Sequence, residues 1–536
     1  MKNMSKAIFS FAGLALAVIS CVNESPVSIV SPANFDYPVW RGESTGIIME
    51  IQSSTDVNGL SLAVKGAPAN ADFIFDVKGD VLAESFNQCD NRPAGQYDSI
   101  IVADRIGPEQ GIDLKAGEKA KIWIGLKVPA EYAPGQHKGI LEIKSKSARG
   151  LKVPFTFEVA ENTLPDPHDW AFHLDLWQNP YSVARYFNVP LWSDEHFAKM
   201  KPLMQLLASA GQKVVTATII NRPWNGQTED PFGSMVTKTR NADGSWVYDY
   251  SIFDKWVQFM FDLGIDRQIN CYSMIPWAMS FDYVDAATGR NEILSASVNS
   301  PEYKDYWLNF IKDFSSHLKE KGWFEKTGIA MDERKEEDMK AALAIIREAE
   351  PEMKISLAGN MHSSLVDEIH DLSLAMHIPY PEGLVGERRE EGKVSTWYIC
   401  CSSKYPNTYI ASDPMEASWL GWYTAALGLD GMLRWAYNSW TISPETDARF
   451  RTWPAGDCYI VYPESSSVRF QRLIEGIQDY EKIRILRQKW TEEGRSDKLD
   501  QLDKALAAFN IDSLGQVGPL PALTSARNII ARHRTD

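Results

Sequence analysis

From residue 170 onward the sequence alternates short apolar runs with long amphipathic segments, and it does so eight times. The runs lie at 171–176, 213–219, 268–273, 327–331, 354–357, 374–377, 394–398 and 431–434. The segments between them carry helix punctuation. Ser193 precedes one, Ser251 and Asp254 frame another, and Ser300-Pro301 sets a capping hydroxyl before a proline at the first helical position. Asp413-Pro414-Met415-Glu416 is similar to a capping box, and Gly211, Gly264, Gly322 and Gly428 fall where helices should stop. Eight strand-then-helix units predict a (β/α)8 TIM barrel, with a doubly wound open sheet as the alternative. The two longest connections, 221–250 and 274–299, both follow strands, and in a barrel such connections stand over the active-site face.

The chain ahead of the barrel has a different rhythm. Ile122, Ile124, Leu126 and Val128 alternate with other residues, as do Val153, Phe155, Phe157 and Val159, the period of half-buried strands. With Pro134-Gly135 as a turn signal, this region reads as a β-sandwich over 26–160. Pro165 and Pro167 mark the junction that follows, because proline withholds a ladder donor and biases the chain toward extended geometry. At 536 residues the chain exceeds what one core organises. The expected architecture is therefore multidomain: a sandwich at 26–160, a catalytic barrel at 168–490 and a helical C-terminal extension at 491–536.

The N-terminus carries Lys2 and Lys6, an apolar run over 7–19, then Ser20 and Cys21. This is the plan of an export signal, too short to span a bilayer. Val18-Ile19-Ser20-Cys21 resembles a bacterial lipobox, so residues 1–21 are expected to be a lipoprotein signal peptide with Cys21 lipidated. A plain secretory signal is the alternative. The expected location is outside the cytoplasm, periplasmic or at the cell surface, with membrane attachment through the lipid only. The other five cysteines, Cys89, Cys271, Cys400, Cys401 and Cys458, lack CxxC spacing and imply neither a disulfide framework nor a metal site. A formal charge of −16 argues against nucleic acid, whose phosphates require clustered Lys and Arg. No GxSxG elbow, Walker A loop or strand-linked GxGxxG is present, and no HExxH spacing points to a metal. No cofactor is expected.

Barrel enzymes place their chemistry at the carboxyl ends of strands. The fourth run ends in Asp332-Glu333. Neighbours on a strand point to opposite faces, so both acids reach one pocket only if the strand ends there and the chain turns. The competing reading is local: Asp332 caps the next helix and Glu333 favours its dipole. Other strand ends offer His173, Asp175 and Trp177, then Thr216 and Thr218, Tyr272 and Trp277, Asn360 and His362, His377 and Tyr380. The seventh supplies Trp397 and Tyr398, and the eighth Arg434, Trp435, Tyr437, Asn438 and Trp440. Carboxylates, amides and aromatic faces around one mouth suit a sugar, and the 18 tryptophans and 20 tyrosines supply such faces even if most serve cores. Trp397, Tyr398, Trp435, Tyr437 and Asn438 are the expected pocket residues, with Asp175 and His377 behind them. Arg434 either pairs with a catalytic carboxylate or braces the barrel.

Three segments carry a family resemblance: Thr327 through Glu333, Gly428-Leu429-Asp430-Gly431-Met432-Leu433-Arg434-Trp435-Ala436-Tyr437-Asn438-Ser439-Trp440, and the stretch from Gly456-Asp457 through Tyr462-Pro463 to Glu475-Gly476-Ile477-Gln478-Asp479-Tyr480. Together they resemble glycoside hydrolase family 123. The resemblance implies a β-N-acetylgalactosaminidase acting on the terminal sugar of a glycan, with retention assisted by the substrate. The 2-acetamido oxygen would attack the anomeric carbon to give an oxazolinium intermediate, outside the usual two-carboxylate scheme. Glu333 would then be the acid and base, and Asp332 would hold the acetamido N–H. The choice of galacto over gluco epimer rests on the resemblance alone. Two alternatives stay open: a non-catalytic glycan-binding lipoprotein, and a two-carboxylate β-glycosidase pairing Glu333 with an acid such as Asp175.

Overall fold

The computed structural model describes residues 25–31, 34–81, 98–451 and 453–531. The signal segment 1–21 with Cys21, and Cys89, lie outside the described residues.

The N-terminal part is a sheet-rich domain. One sheet runs in the order Val27–Ser31, Ser44–Ser53, Lys119–Lys127, Ala69–Asp80, Ser99–Gly107, and closes on the short strand Ser466–Ser467 from far down the chain. The second runs Val39–Arg41, Leu151–Thr163, Gly135–Lys144, Val57–Lys65, Ile112–Leu114. Strict alternation buries Val153, Phe155, Phe157 and Val159 from one sheet. They join Met49, Ile51, Ile122, Ile124 and Leu126 of the other in a single apolar cluster. Burying such side chains contributes roughly 1.5–3 kcal/mol each, the main driving force for this domain.

The eight expected strands all form, and all run parallel: His173–Leu176, Val214–Thr218, Gln268–Tyr272, Thr327–Asp332, Lys354–Gly359, Asp371–Ala375, Val394–Tyr398 and Gly431–Arg434. Their spatial order follows their sequence order around a nearly closed barrel, which rules out the doubly wound alternative. The seam lies between the first and second strands, where the backbone offers one bridge, Leu174 to Gln212, with Lys213 N donating to Leu174 O at 3.0 Å. Two glutamine side chains take the place of further ladder bonds. Gln212 accepts from Leu176 N at 3.0 Å and donates to Val214 O at 2.7 Å, while Gln178 accepts from Thr216 N at 2.9 Å and donates to Val214 O at 3.2 Å. A primary amide carries both a donor and an acceptor, so it can stand in for a peptide group.

The sixth strand is Asp371–Ala375, three residues earlier at its start than the 374–377 expected from apolarity. Asp371 and Ser373 face the barrel interior and interrupt the hydrophobic run, while Leu372 and Leu374 join the helix-side core. The glycines expected to stop helices do so with positive φ; Gly322 at +71° terminates Pro301–Lys321. At the helix Met415–Ala426 half of the expected box forms: Asp413 Oδ1 accepts from Met415 N at 2.9 Å, while Glu416 accepts from Asn407 N at 3.0 Å.

The two long connections are more than loops. Thr237–Arg240, Trp246–Asp249, Ser280–Asp285 and Arg290–Ser295 pair into one four-stranded sheet beside the mouth. It is tied to the helix Pro301–Lys321 by Lys238, a buried ammonium among the rings of Tyr306, Trp307 and Phe310 at 5.6, 5.9 and 4.9 Å. Desolvated cation–π contacts of this kind contribute about 2 kcal/mol.

A 25-residue helix, Val468–Glu492, links the barrel to the N-terminal domain and to the helical extension Ser496–Leu506, Ile511–Val517 and Leu520–Ala531. Gln478 of this helix exchanges two hydrogen bonds with the backbone of Ser44, at 2.7 and 2.6 Å, and Arg469 meets Asp104 at 2.9 Å. Among the described residues no helix is long and apolar enough to cross a membrane.

Candidate active site

Parity along each strand decides what the barrel mouth contains. Trp177 follows the first strand, Ala330 and Asp332 lie on the fourth, Ala358 on the fifth, Ala375 on the sixth, Tyr398 on the seventh and Leu433 on the eighth. Trp177, Ala330, Ala358, Ala375, Tyr398 and Leu433 form one inward-facing cluster with Tyr272, Trp224 and Phe232. The small side chain of Ala358 borders the space above this cluster. That space is a cavity of about 370 Å³. Its floor and wall include Trp177, Trp224, Ala358, Tyr398 and Leu433, and its mouth includes Trp277, Trp435, Trp453, Gln227 and Ser402. Trp177 and Trp224 stack at 4.8 Å and 25°, so the floor is aromatic.

Asp332 and Glu333 both line this cavity. Asp332 is the last residue of its strand and is buried; its Oδ2 accepts from Trp277 Nε1 at 2.9 Å, and its Oδ1 lies 2.9 Å from Arg334 Nη2 in an ion pair. Burial raises its pKa, the neighbouring charge of Glu333 adds to the rise, and Arg334 and the Trp277 N–H oppose it. Glu333 sits just past the strand, with its backbone N–H donating to Ala358 O at 2.9 Å. Its side chain is exposed at the mouth and accepts from Tyr398 Oη at 2.8 Å. Burial, and then the charge of Glu333, push the Tyr398 hydroxyl far above its ordinary pKa, so it remains a neutral donor.

Asp332 does not cap the next helix. The following helix, Glu336–Ala349, has Lys335 at its N-cap and no side-chain cap bond.

The other expected pocket residues separate. Tyr398 and Trp435 line the cavity. Trp397, adjacent to Tyr398, must point the other way; its indole donates to Thr424 Oγ1 at 2.8 Å and packs on Tyr423 in the helix layer. Tyr437 is fully buried outside the barrel, with its hydroxyl on Leu203 O at 2.9 Å. Asn438 exchanges hydrogen bonds with the backbone of Asn179 at 2.9 and 2.8 Å, holding the loop after Trp177. His377 is exposed in the turn beyond the sixth strand and does not line the cavity. Arg434 faces outward and is fully buried, bound to Asp457 at 3.0 Å, Thr408 at 2.7 Å and the backbone of Gly456; it braces the fold and pairs with neither Asp332 nor Glu333.

Asp175 lies in the barrel interior, outside the cavity lining, in a buried polar layer. Gln268 donates to Asp371 Oδ2 at 2.7 Å; Asn270 reaches the same oxygen at 3.3 Å and Asp175 Oδ2 at 3.5 Å; His173 Nε2 is 3.8 Å from Asp371. Burial, and then the charge of Asp371, push Asp175 up to about 7.

Several mouth residues were not singled out from the sequence. Trp224 and Gln227 sit in the connection after the second strand, whose length is the one available signal; Trp453 and Cys400-Cys401-Ser402 had none. Cys400 is a half-buried free thiol, 3.1 Å from Ser402 Oγ, and Cys401 is disulfide-bonded, a bond its spacing did not imply.

Comparison with known proteins bears on this arrangement. Residues 177–486 match the model for the glycoside hydrolase 123 catalytic domain, and residues 24–145 match the model for the glycoside hydrolase 123 N-terminal domain. No curated protein matches. Among solved structures, a family 123 glycoside hydrolase from Clostridium perfringens, described for glycolipid glycan hydrolysis, is 26% identical with a TM-score of 0.82 over 92% of each chain. A family 39 glycoside hydrolase from Bacteroides cellulosilyticus is 10% identical over 84% of this chain and 83% of its own, with a TM-score of 0.36, and has no bearing on the site.

Proposed function

Because the chain belongs to glycoside hydrolase family 123, we propose that it removes terminal β-linked N-acetylgalactosamine from glycans, with retention and with the substrate's 2-acetamido group as nucleophile. One observation carries the mechanism: among the described residues, the only carboxylates lining the cavity are the neighbours Asp332 and Glu333. A two-carboxylate glycosidase sets its acids on opposite sides of the bond, about 5–5.5 Å apart for retention and about 6.5–9.5 Å for inversion. Two consecutive residues reach the sugar from one side, and Asp175 lies in the interior layer. The missing nucleophile is then supplied by the substrate.

In the first step the acetamido oxygen bonds to the anomeric carbon, the bond to the leaving oxygen breaks, and Glu333 gives that oxygen its proton. Buried Asp332 accepts the acetamido N–H, fixing the carbonyl for attack and balancing the charge of the oxazolinium. In the second step Glu333 takes a proton from water as the water oxygen bonds to the same carbon and the oxazolinium opens. Two inversions give retention. The exposure of Glu333 at the mouth suits this role, because the glycosidic oxygen of an end-bound sugar faces outward. The relative's action on glycolipid glycans makes such glycans the first substrates to try.

We further propose that the chain is exported and tethered through lipidated Cys21, and that the two N-terminal sheets form a β-sandwich bracing the barrel. A panel of chromogenic β-glycosides tests the enzymatic reading. Turnover of N-acetylated sugars, galacto above gluco, with none of the matching plain hexosides, is the expected result. Equal cleavage of plain hexosides would end substrate assistance, and glycan binding without any turnover would leave a lectin-like lipoprotein.

A further inference from the structure

Trp277 has an unusual combination of properties. It is 41% exposed, more than any other tryptophan among the described residues, yet it is held at three points. Its indole N–H donates to Asp332 Oδ2 at 2.9 Å. The Arg334 guanidinium lies 4.7 Å from its ring centroid, and Arg334 is itself fixed by a 2.7 Å hydrogen bond from Nε to Ile275 O. Its backbone N–H donates to Pro223 O at 2.9 Å, tying it to the opposite connection. Arg334 also pairs with Asp332, but the backbone tie to Pro223 fixes the indole beyond what orienting Asp332 requires. Leaving a large apolar face in water is unfavourable by the same area argument that drives burial. Immobilising that face beforehand makes sense if something flat is to lie on it, since the ordering cost is then already met before binding.

Position indicates what that is. The cavity floor is the buried Trp177–Trp224 stack, and an end-acting enzyme holds the terminal sugar there. Trp277 stands at the mouth beside the carboxylates, so its free face meets whatever lies beyond the scissile bond. Arg334 lies over the ring, and the 41% exposure leaves indole surface free to meet a ligand.

We propose that Trp277 forms a leaving-group subsite: its exposed ring face carries the sugar on the far side of the scissile bond, while its N–H holds Asp332 in place. The inference rests on the N-acetylgalactosaminidase reading and names the part of the glycan that the reading leaves unspecified. A neutral hexose ring, with axial C–H groups to lay on an indole, is the chemical class that fits. Coupling the two roles in one residue means that occupancy of the subsite bears directly on the residue that orients the acetamido group.

Full-length enzyme, Trp277→Phe and Trp277→Ala test this. Binding is measured by calorimetry in a Glu333→Gln background, which keeps substrates intact. The probes are methyl β-N-acetylgalactosaminide and a disaccharide with N-acetylgalactosamine β-linked to galactose. The disaccharide should bind more tightly than the methyl glycoside, Trp277→Phe should keep most of that advantage, and Trp277→Ala should lose it by roughly tenfold, the scale of one aromatic anchor. An unchanged preference in Trp277→Ala, or no preference to begin with, overturns the subsite. With Glu333 present, Trp277→Phe should move the acidic limb of the pH–rate profile to higher pH, since the lost N–H favoured ionised Asp332. An unmoved limb overturns the positioning role. Failure of the unmodified enzyme to cleave any N-acetylated glycoside is the separate result that removes the underlying reading, and this subsite with it.

Discussion

Gly359 lies directly beneath the backbone of Glu333: a Cβ placed on Gly359 would stand 3.1 Å from both the N and the Cα of Glu333. The fifth strand thus sets the position of the acid on the fourth by having no side chain at that point. Gly359→Ala should push the Glu333 backbone out by a few tenths of an ångström while leaving the barrel folded. Misplacing a proton donor by such distances costs activity out of proportion to stability. The expected result is a fall of roughly tenfold in kcat with little change in melting temperature. Wild-type kcat in the variant would show that Glu333 tolerates the shift.

Tyr398 holds the side chain of the same residue, donating from Oη at 2.8 Å. Removing the hydroxyl leaves the ring and its packing against Leu433 and Ala375 in place. Tyr398→Phe should therefore lower kcat by roughly tenfold or more with KM nearly unchanged, as expected for loss of one charge-assisted hydrogen bond of about 1.5–3 kcal/mol. Steady-state kinetics on one chromogenic N-acetylgalactosaminide decide it. A rise in KM alone would instead make Tyr398 a ground-state contact to the sugar.

The eight strands were legible because each lies between helix signals, and the sixth was placed three residues late because it opens on polar inward residues, Asp371 and Ser373, with Leu372 as the one apolar residue between them. The acids Asp332 and Glu333 were legible because they end a strand. What strand-end position cannot give is direction. Trp397 and Tyr398 are equally good candidates by composition, yet period two permits one of them inside, and the strand's register selected Tyr398. Beyond the strands even that rule lapses: Tyr437 and Asn438 turn away from the mouth, whereas Trp453 and Gln227 come back to it through loops whose paths depend on tertiary contacts. The pairing of the two long connections into one sheet, Thr239 against Val284, is a contact across 45 residues with no local signal.

The buried layer under the site has its own pH signature. Asp175, at about 7 in the folded protein against an ordinary 3.8, keeps its proton where the unfolded chain has lost it. Its contribution to stability is therefore lost as pH rises from about 4 to about 7. His173 acts in the same direction: burial works against its charge, but Asp371 and Asp175 outweigh this and raise its pKa, so its contribution is complete below its ordinary value and declines as pH rises through the folded one. Asp371 is lowered, burial being outweighed by His173, Gln268 and Asn270, and its contribution is lost only under more acidic conditions. Melting temperature should fall between about pH 4 and pH 7, and Asp175→Asn should flatten that slope. A parallel slope in the variant would place the titration elsewhere.

The seam between the first and second strands is where the barrel is most dependent on side chains. Gln212 satisfies Leu176 N and Val214 O, groups that a ladder would otherwise pair. In Gln212→Ala the buried Leu176 N–H loses its partner, at a cost of about 1–3 kcal/mol, while Val214 O keeps its bond from Gln178. A destabilisation of roughly 1–3 kcal/mol is expected by urea unfolding. The effect should reach the site, because Trp177 follows the first strand immediately and forms the cavity floor with Trp224. Under conditions where the variant remains folded, KM should rise more than kcat falls, as a loosened floor weakens sugar binding without moving Glu333. If stability drops while KM stays at the wild-type value, the Trp177–Trp224 stack is held by its own packing, and the seam serves the barrel alone.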